Sequence, residues 1–195
     1  MSKNDFRKES LIKHYEKCLK TMINDLDFQR FFGQENDYKV MKYSDLANYQ
    51  DINDLLSEPI DYRIILTETK RNVGHWCALM KYGDTIEWFD SYGGKSGVPD
   101  GELEFVSYAM RKMLGELKPL LSNLLKTKFP KQQLFYNKHK FQQLADGIDT
   151  CGRWVICRVL MMKLGYNLPE FIDFVERHSK DTGKPPDILV CDWIV

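Results

Sequence analysis

The sequence predicts an α+β protein. Three observations predict it: a helical stripe of apolar residues at the start, β-rich runs between residues 62 and 91, and a helix beyond residue 150 that is apolar almost all round. With 195 residues the chain suits one domain with a single core, read here as 1–195. Within it, residues 1–56 form a helical segment and about 60–195 the functional core.

Over residues 6 to 27 the apolar positions Phe6, Leu11, Ile12, Tyr15, Leu19, Met22, Ile23 and Leu26 recur at helical spacing. Phe31 to Asp51 is mixed and turn-rich, with short capped helical turns expected at Ser44-Asp45-Leu46 and Asp51 to Leu56. A strand is expected over Tyr62 to Leu66. Two more, His75 to Tyr82 and Thr85 to Ser91, flank Gly83-Asp84 as a two-residue hairpin turn. Gly93 to Gly101 is loop by composition; its Gly93-Gly94-Lys95-Ser96 lacks the spacing of a phosphate loop and reads as a loop beside the site. Leu103 to Leu117 is helical by pattern, with Pro119 breaking it before Leu120 to Leu125. Leu134 to Tyr136 is a short strand candidate, and Val155 to Leu164 a buried helix. Asn167-Leu168-Pro169 opens another helix that runs to about Lys180. Ile188 to Val190 reads as a last strand.

Lys+Arg and Asp+Glu both total 28, so charge gives no case for nucleic acid or an anionic membrane as main partner, and nucleic acid binding stays open. No apolar run is long enough to cross a bilayer. The five cysteines show no repeated spacing, their number is odd, and the start has no apolar signal region. These features argue against a secreted disulfide scaffold and favour a reducing intracellular compartment, in which a free thiolate can be kept for chemistry.

If Gly83-Asp84 is a two-residue loop, Tyr82 faces Thr85 and Cys77 faces Asp90. His75 then shares a face with Asp90 as its diagonal neighbour, near enough for the carboxylate to fix one imidazole nitrogen and leave the other for a thiol. Taken singly, His75 reads as a half-buried strand histidine and Asp90 as a strand-end cap. Their shared face is what suggests chemistry.

Cys151, just before Gly152 and the buried helix, is the nucleophile candidate. A helix start and a neighbouring imidazolium both favour thiolate over thiol. Backbone N–H groups there, with the amide of Gln142 or Gln143, could hold an oxyanion. Cys157, inside the helix, reads as an inert buried cysteine. A zinc site from Cys77, Cys151, Cys157 and His75 matches no ligand spacing, so no metal and no cofactor is expected.

Gly74-His75-Trp76, a strand ending Phe89-Asp90-Ser91, and a glutamine shortly before Thr150-Cys151-Gly152 resemble the adenain and ubiquitin-like-protein protease group of cysteine peptidases. The order His, Asp, Gln, Cys is that group's, and the match spans roughly residues 60 to 165. The Cys-Gly-Arg-Trp ending and small size look most like the adenain-type maturation proteases of large DNA viruses and virophages. The resemblance implies a central mixed β-sheet packed around a buried helix with the nucleophile at its N-terminus. It assigns Cys151 as nucleophile, His75 as general base, Asp90 as its orienter and Trp76 to the cleft wall. The oxyanion donor is Gln142, with Gln143 as the alternative, although both lie slightly farther from the cysteine than the group's glutamine. The implied activity is a monomeric endopeptidase that cuts capsid or core precursors near glycine, in host cytoplasm (the viral factory) and virion. Related activities in the group are deconjugation of ubiquitin or a ubiquitin-like protein, and acetyl transfer. Some members respond to a peptide or DNA activator.

Overall fold

The computed structural model describes residues 3–94, 106–115 and 117–195, with side chains from residue 7 onward. Among the described residues, five strands form one mixed sheet in sequence order. β1 (Val40–Lys42) runs parallel to β2 (Ile60–Lys70), which pairs antiparallel with β3 (Val73–Tyr82). β3 pairs antiparallel with β4 (Thr85–Asp90), and β5 (Gln133–Tyr136) lies parallel to β4 at the far edge. The hairpin register matches the two-residue turn: Tyr82 faces Thr85 and Cys77 faces Asp90, with Gly83 at φ 54°.

Both faces of the sheet are covered, so β2 and β3 are buried almost continuously rather than on alternate residues. On one face Trp76, Ala78, Met80 and Phe89 meet Trp154, Val155 and Val159 of α6 (Cys151–Lys163). The same core takes Phe28 and Phe32 from α2 (Asp25–Phe32), Phe171 from α7 (Leu168–Thr182) and Val190 from α8 (Pro186–Trp193). On the other face Cys77, Leu79, Ile86 and Trp88 pack against α3 (Ile52–Leu55) and α5 (Leu120–Leu125). A bidentate ion pair locks α6 to the sheet: Arg158 donates to Glu87 at 2.8 and 2.6 Å, and both side chains are fully buried. No helix among the described residues is long and apolar enough to cross a membrane.

Several sequence expectations need correction. The stripe over residues 6 to 27 is two helices, α1 (Lys3–Lys20) and α2, because Asn24 caps α2. It accepts from Leu26 and Asp27 N–H at 2.9 and 3.3 Å, while Asp27 accepts from Asn24 N–H at 3.0 Å. β1 falls within the segment read as turns. The helix expected over Leu103 to Leu117 is α4 (Tyr108–Leu114), started by Ser107 and ended by left-handed Gly115. Residues 103–105 of that expectation, and 95–101 of the expected loop, lie outside the described residues. Ile188 to Val190 is helical within α8, where Pro185 and Pro186 set the start.

The cysteines add a feature that the sequence spacing did not mark. Cys18 in α1 and Cys191 in α8 form a disulfide, with Cα atoms 6.0 Å apart and a sequence separation of 173. At such a separation no local spacing marks the pair; the packing of α1 beside α8 creates it. Cys77, Cys151 and Cys157 remain outside any disulfide.

Candidate active site

The first turn of α6, the near ends of β3 and β4, and the segment from Tyr136 to Thr150 converge on one site. Two glycines permit the approach. A Cβ at Gly74 would lie 2.0 Å from the Thr67 carbonyl oxygen, and one at Gly152 would lie 2.4 Å from Ile23 Cβ. The tight contact of β3 with β2 before His75, and of α6 with the α1–α2 connection after Cys151, therefore requires glycine at both positions.

His75 Nε2 and Asp90 Oδ1 are 2.7 Å apart, and both residues are buried. With Nε2 committed to Asp90, the other ring nitrogen is left for Cys151, whose thiol is near enough to help raise the His75 pKa. Burial alone would lower the His75 pKa. The Asp90 charge, neighbouring Cys77 and the bonds to Asp90 and Cys151 outweigh it and hold the pKa well above its usual value. Burial raises the Asp90 carboxyl, but the facing imidazolium, its hydrogen bond and Tyr92 N–H leave it below the usual carboxylate range. The pair is thus built to be charged on both sides. Asn137 clamps the Asp90 backbone, accepting from its N–H at 2.9 Å and donating to its carbonyl.

Cys151 is half-buried at the first position of α6. No side chain caps that helix: Thr150 turns its hydroxyl away to Asp187 at 2.6 Å. The first-turn N–H groups thus keep no side-chain acceptor, the arrangement an oxyanion site needs. Cys157, by contrast, has its thiol pushed up to about 12 by burial.

The two glutamines separate clearly. Gln143 is exposed, and it reaches the site's scaffold through its backbone N–H, which donates to Asp187. Gln142 is buried. Its Oε1 accepts from Ser91 Oγ at 2.8 Å, and its Nε2 donates to Ile148 O at 2.8 Å and lies 3.4 Å from Tyr92 Oη. Ser91 O in turn accepts from Phe141 and Gln142 N–H, so the end of β4 fixes this glutamine.

Trp76 is mostly buried, with its ring edge-on to Phe28 and its indole N–H donating to Ile23 O at 3.0 Å. It also lines a cleft of about 400 Å³ together with Cys151, Met22, Met41, Val73 and Asp149. Two contributors were not visible in the sequence. Tyr92 stacks on His75, with ring centroids 4.3 Å apart and planes 19° from parallel. Asp187 ties loop and helix together from α8. Neither sits in a spacing motif, and Asp187 is 36 residues beyond Cys151.

The described residues that could hold a metal differ from the set weighed from sequence: ligand atoms of His75, Cys77 and Asp90 lie within 4.8 Å of one another. A thiophilic ion there would have to displace the proton between His75 and Asp90.

No family model matches the chain, and no solved structure does. The chain is 36% identical over 181 residues to "Uncharacterized protein V9" of Sputnik virophage. The match spans 92% of this chain and 95% of that protein, so the two share nearly their whole lengths. The chain therefore belongs to the virophage protein family that includes this Sputnik protein.

Proposed function

We propose that the chain is a cysteine endopeptidase that processes virophage capsid or core precursors during virion maturation, cutting near glycine. One observation carries the reading: Cys151 starts an uncapped helix beside His75, whose Nε2 is held by Asp90 at 2.7 Å. A virophage relative of matching length supports the setting, which is the viral factory and the virion.

The chemistry follows from the groups in place. His75 takes the Cys151 proton and the sulfur attacks the scissile carbonyl carbon. Gln142 Nε2 and the first N–H groups of α6 hold the oxyanion. His75 returns the proton to the leaving amine, which departs as the new N-terminus. Water, deprotonated by His75, then attacks the thioester and releases the acyl half as a carboxylic acid, returning the proton to Cys151. Asp90 keeps the imidazole oriented and stabilises its charged form throughout.

The test is co-expression of the chain with the virophage structural proteins, followed by mass spectrometry of their termini. New termini next to glycine that vanish with Cys151→Ala support the reading. Intact precursors alongside hydrolysis of a ubiquitin-like fusion would redirect it to deconjugation. Acetylated Ser, Thr or Lys after incubation with acetyl-CoA would redirect it to acyl transfer.

A further inference from the structure

The contacts of α8 contain a residue that the triad chemistry does not use. Asp187 is a carboxylate only 3% exposed, and no salt bridge among the described residues involves it. A buried carboxylate without a cation is costly unless neutral donors surround it. Here three do. Oδ2 accepts from Gln143 N–H at 2.9 Å, and Oδ1 accepts from Thr150 Oγ1 at 2.6 Å and Trp154 Nε1 at 3.3 Å.

The donors come from two different parts of the site. Gln143 N belongs to the peptide bond that follows Gln142, whose side chain is the proposed oxyanion donor. Thr150 and Trp154 flank Cys151 on α6. Between them residues 143–147 form an exposed connection with no regular structure. One carboxylate thus spans the connection and sets the spacing of the amide relative to the nucleophile. It also keeps the Thr150 hydroxyl from capping α6, which leaves the first-turn N–H groups for an oxyanion.

We infer that Asp187 is a positioning residue that assembles the oxyanion site by bridging the Gln142 segment to the Cys151 helix. The inference rests on the peptidase reading. Its chemistry predicts an asymmetric response to Asp187→Asn. The amide can keep its oxygen toward Thr150 and Trp154, but its NH₂ then faces Gln143 N–H, donor against donor. The nucleophile's arm survives and the glutamine's arm breaks.

The experiment compares wild type, Asp187→Asn, Gln142→Ala and the double variant on a fluorogenic peptide amide with glycine at the cleaved bond. It measures alkylation of Cys151 by iodoacetamide in parallel, a reaction that forms no oxyanion. Loss of one oxyanion donor costs about 10²–10³ in kcat. Asp187→Asn is therefore expected to lower kcat about 10–100-fold, with KM and the alkylation rate within about twofold of wild type. The double variant is expected to be no slower than Gln142→Ala beyond about twofold, because Asp187 acts through Gln142. Additive losses, an unchanged kcat, or alkylation slowed as much as kcat would overturn the inference. If Asp187→Asn does not fold, Gln143→Pro deletes the same N–H from an exposed position; it should reproduce the kcat loss, and normal turnover would overturn the inference. Failure of the peptidase reading looks different: wild type would then not cleave the peptide, or cleavage would persist in Cys151→Ala.

Discussion

Reduction of the Cys18–Cys191 disulfide should lower thermal stability by a calculable amount. The bond closes a loop over a sequence separation of 173 residues. Opening it returns about 17 cal/mol/K of chain entropy to the unfolded state, or about 5 kcal/mol at 25 °C. Unfolding 195 residues at about 2.1 cal/mol/K each gives an unfolding entropy of about 0.4 kcal/mol/K, so the Tm should fall by about 12 °C. Disulfides commonly deliver about 2–5 kcal/mol, which sets the expected range at about 5–12 °C. The assay is a thermal melt with and without a phosphine reductant. Cys18→Ser/Cys191→Ser, melted without reductant, separates this bond from the redox state of Cys151 and should match the reduced wild type. The bond bears on the site because α1 and its continuation hold the start of α6. Leu19 O accepts from Asp149 N–H at 2.7 Å, and Thr21 O accepts from Arg153 at 2.6 Å. Melts that coincide within a degree in all three samples would show that the bond adds no stability.

Asp90→Asn should cut kcat about 10⁴-fold and His75→Ala about 10⁶-fold, because Asn can keep Oδ1 toward His75 and Tyr92 N–H while losing the charge; steady-state kinetics ranks them. The His75–Asp90 pair should also shape stability against pH. His75 is raised above 6.5, so its contribution is full below that value and lost as pH rises through its folded pKa. Asp90 is lowered from 3.8, so its contribution is full above that value and lost as pH falls through its folded pKa. The Tm gap between wild type and His75→Gln should therefore be widest between the two ordinary values, and a gap independent of pH would contradict the pairing. Arg158→Ala, which strands Glu87 in the core, should cost about 3–5 kcal/mol by urea melts, while Arg158→Met/Glu87→Leu should cost less. Gly152→Ala should destabilise by about 1–3 kcal/mol, with partial rescue by Ile23→Ala, because the new methyl meets Ile23.

The sequence made the chemistry-bearing hairpin legible because a two-residue turn at Gly83-Asp84 leaves one pairing register, and that register puts His75, Cys77 and Asp90 on one face. The buried helix behind Cys151 was legible for a different reason: few surfaces but a core accept apolar side chains on every side. Where information was short or distant, reading failed. β1 has three residues and pairs parallel to β2, too short for any period to show. Ile188 to Val190 fits strand and buried helix equally, and only the packing of α8 on α6 decides. Asn24 carried a recognisable cap, yet the apolar stripe ran across it and hid the break. Asp187 stood just before the run read as a last strand; its partners lie 33 to 44 residues away, and the fold alone brings them together. Tyr92 likewise gains meaning only once it lies on His75.

The central claim is that His75 makes Cys151, and no other thiol of the chain, a nucleophile toward a peptide. Labelling with a peptidyl-glycine vinyl sulfone, read by intact mass and peptide mapping, tests it directly. One adduct is expected, on Cys151, and it is lost in His75→Ala even though all the thiols remain. Labelling that persists in His75→Ala, or that falls equally on Cys77 and Cys157, would contradict it.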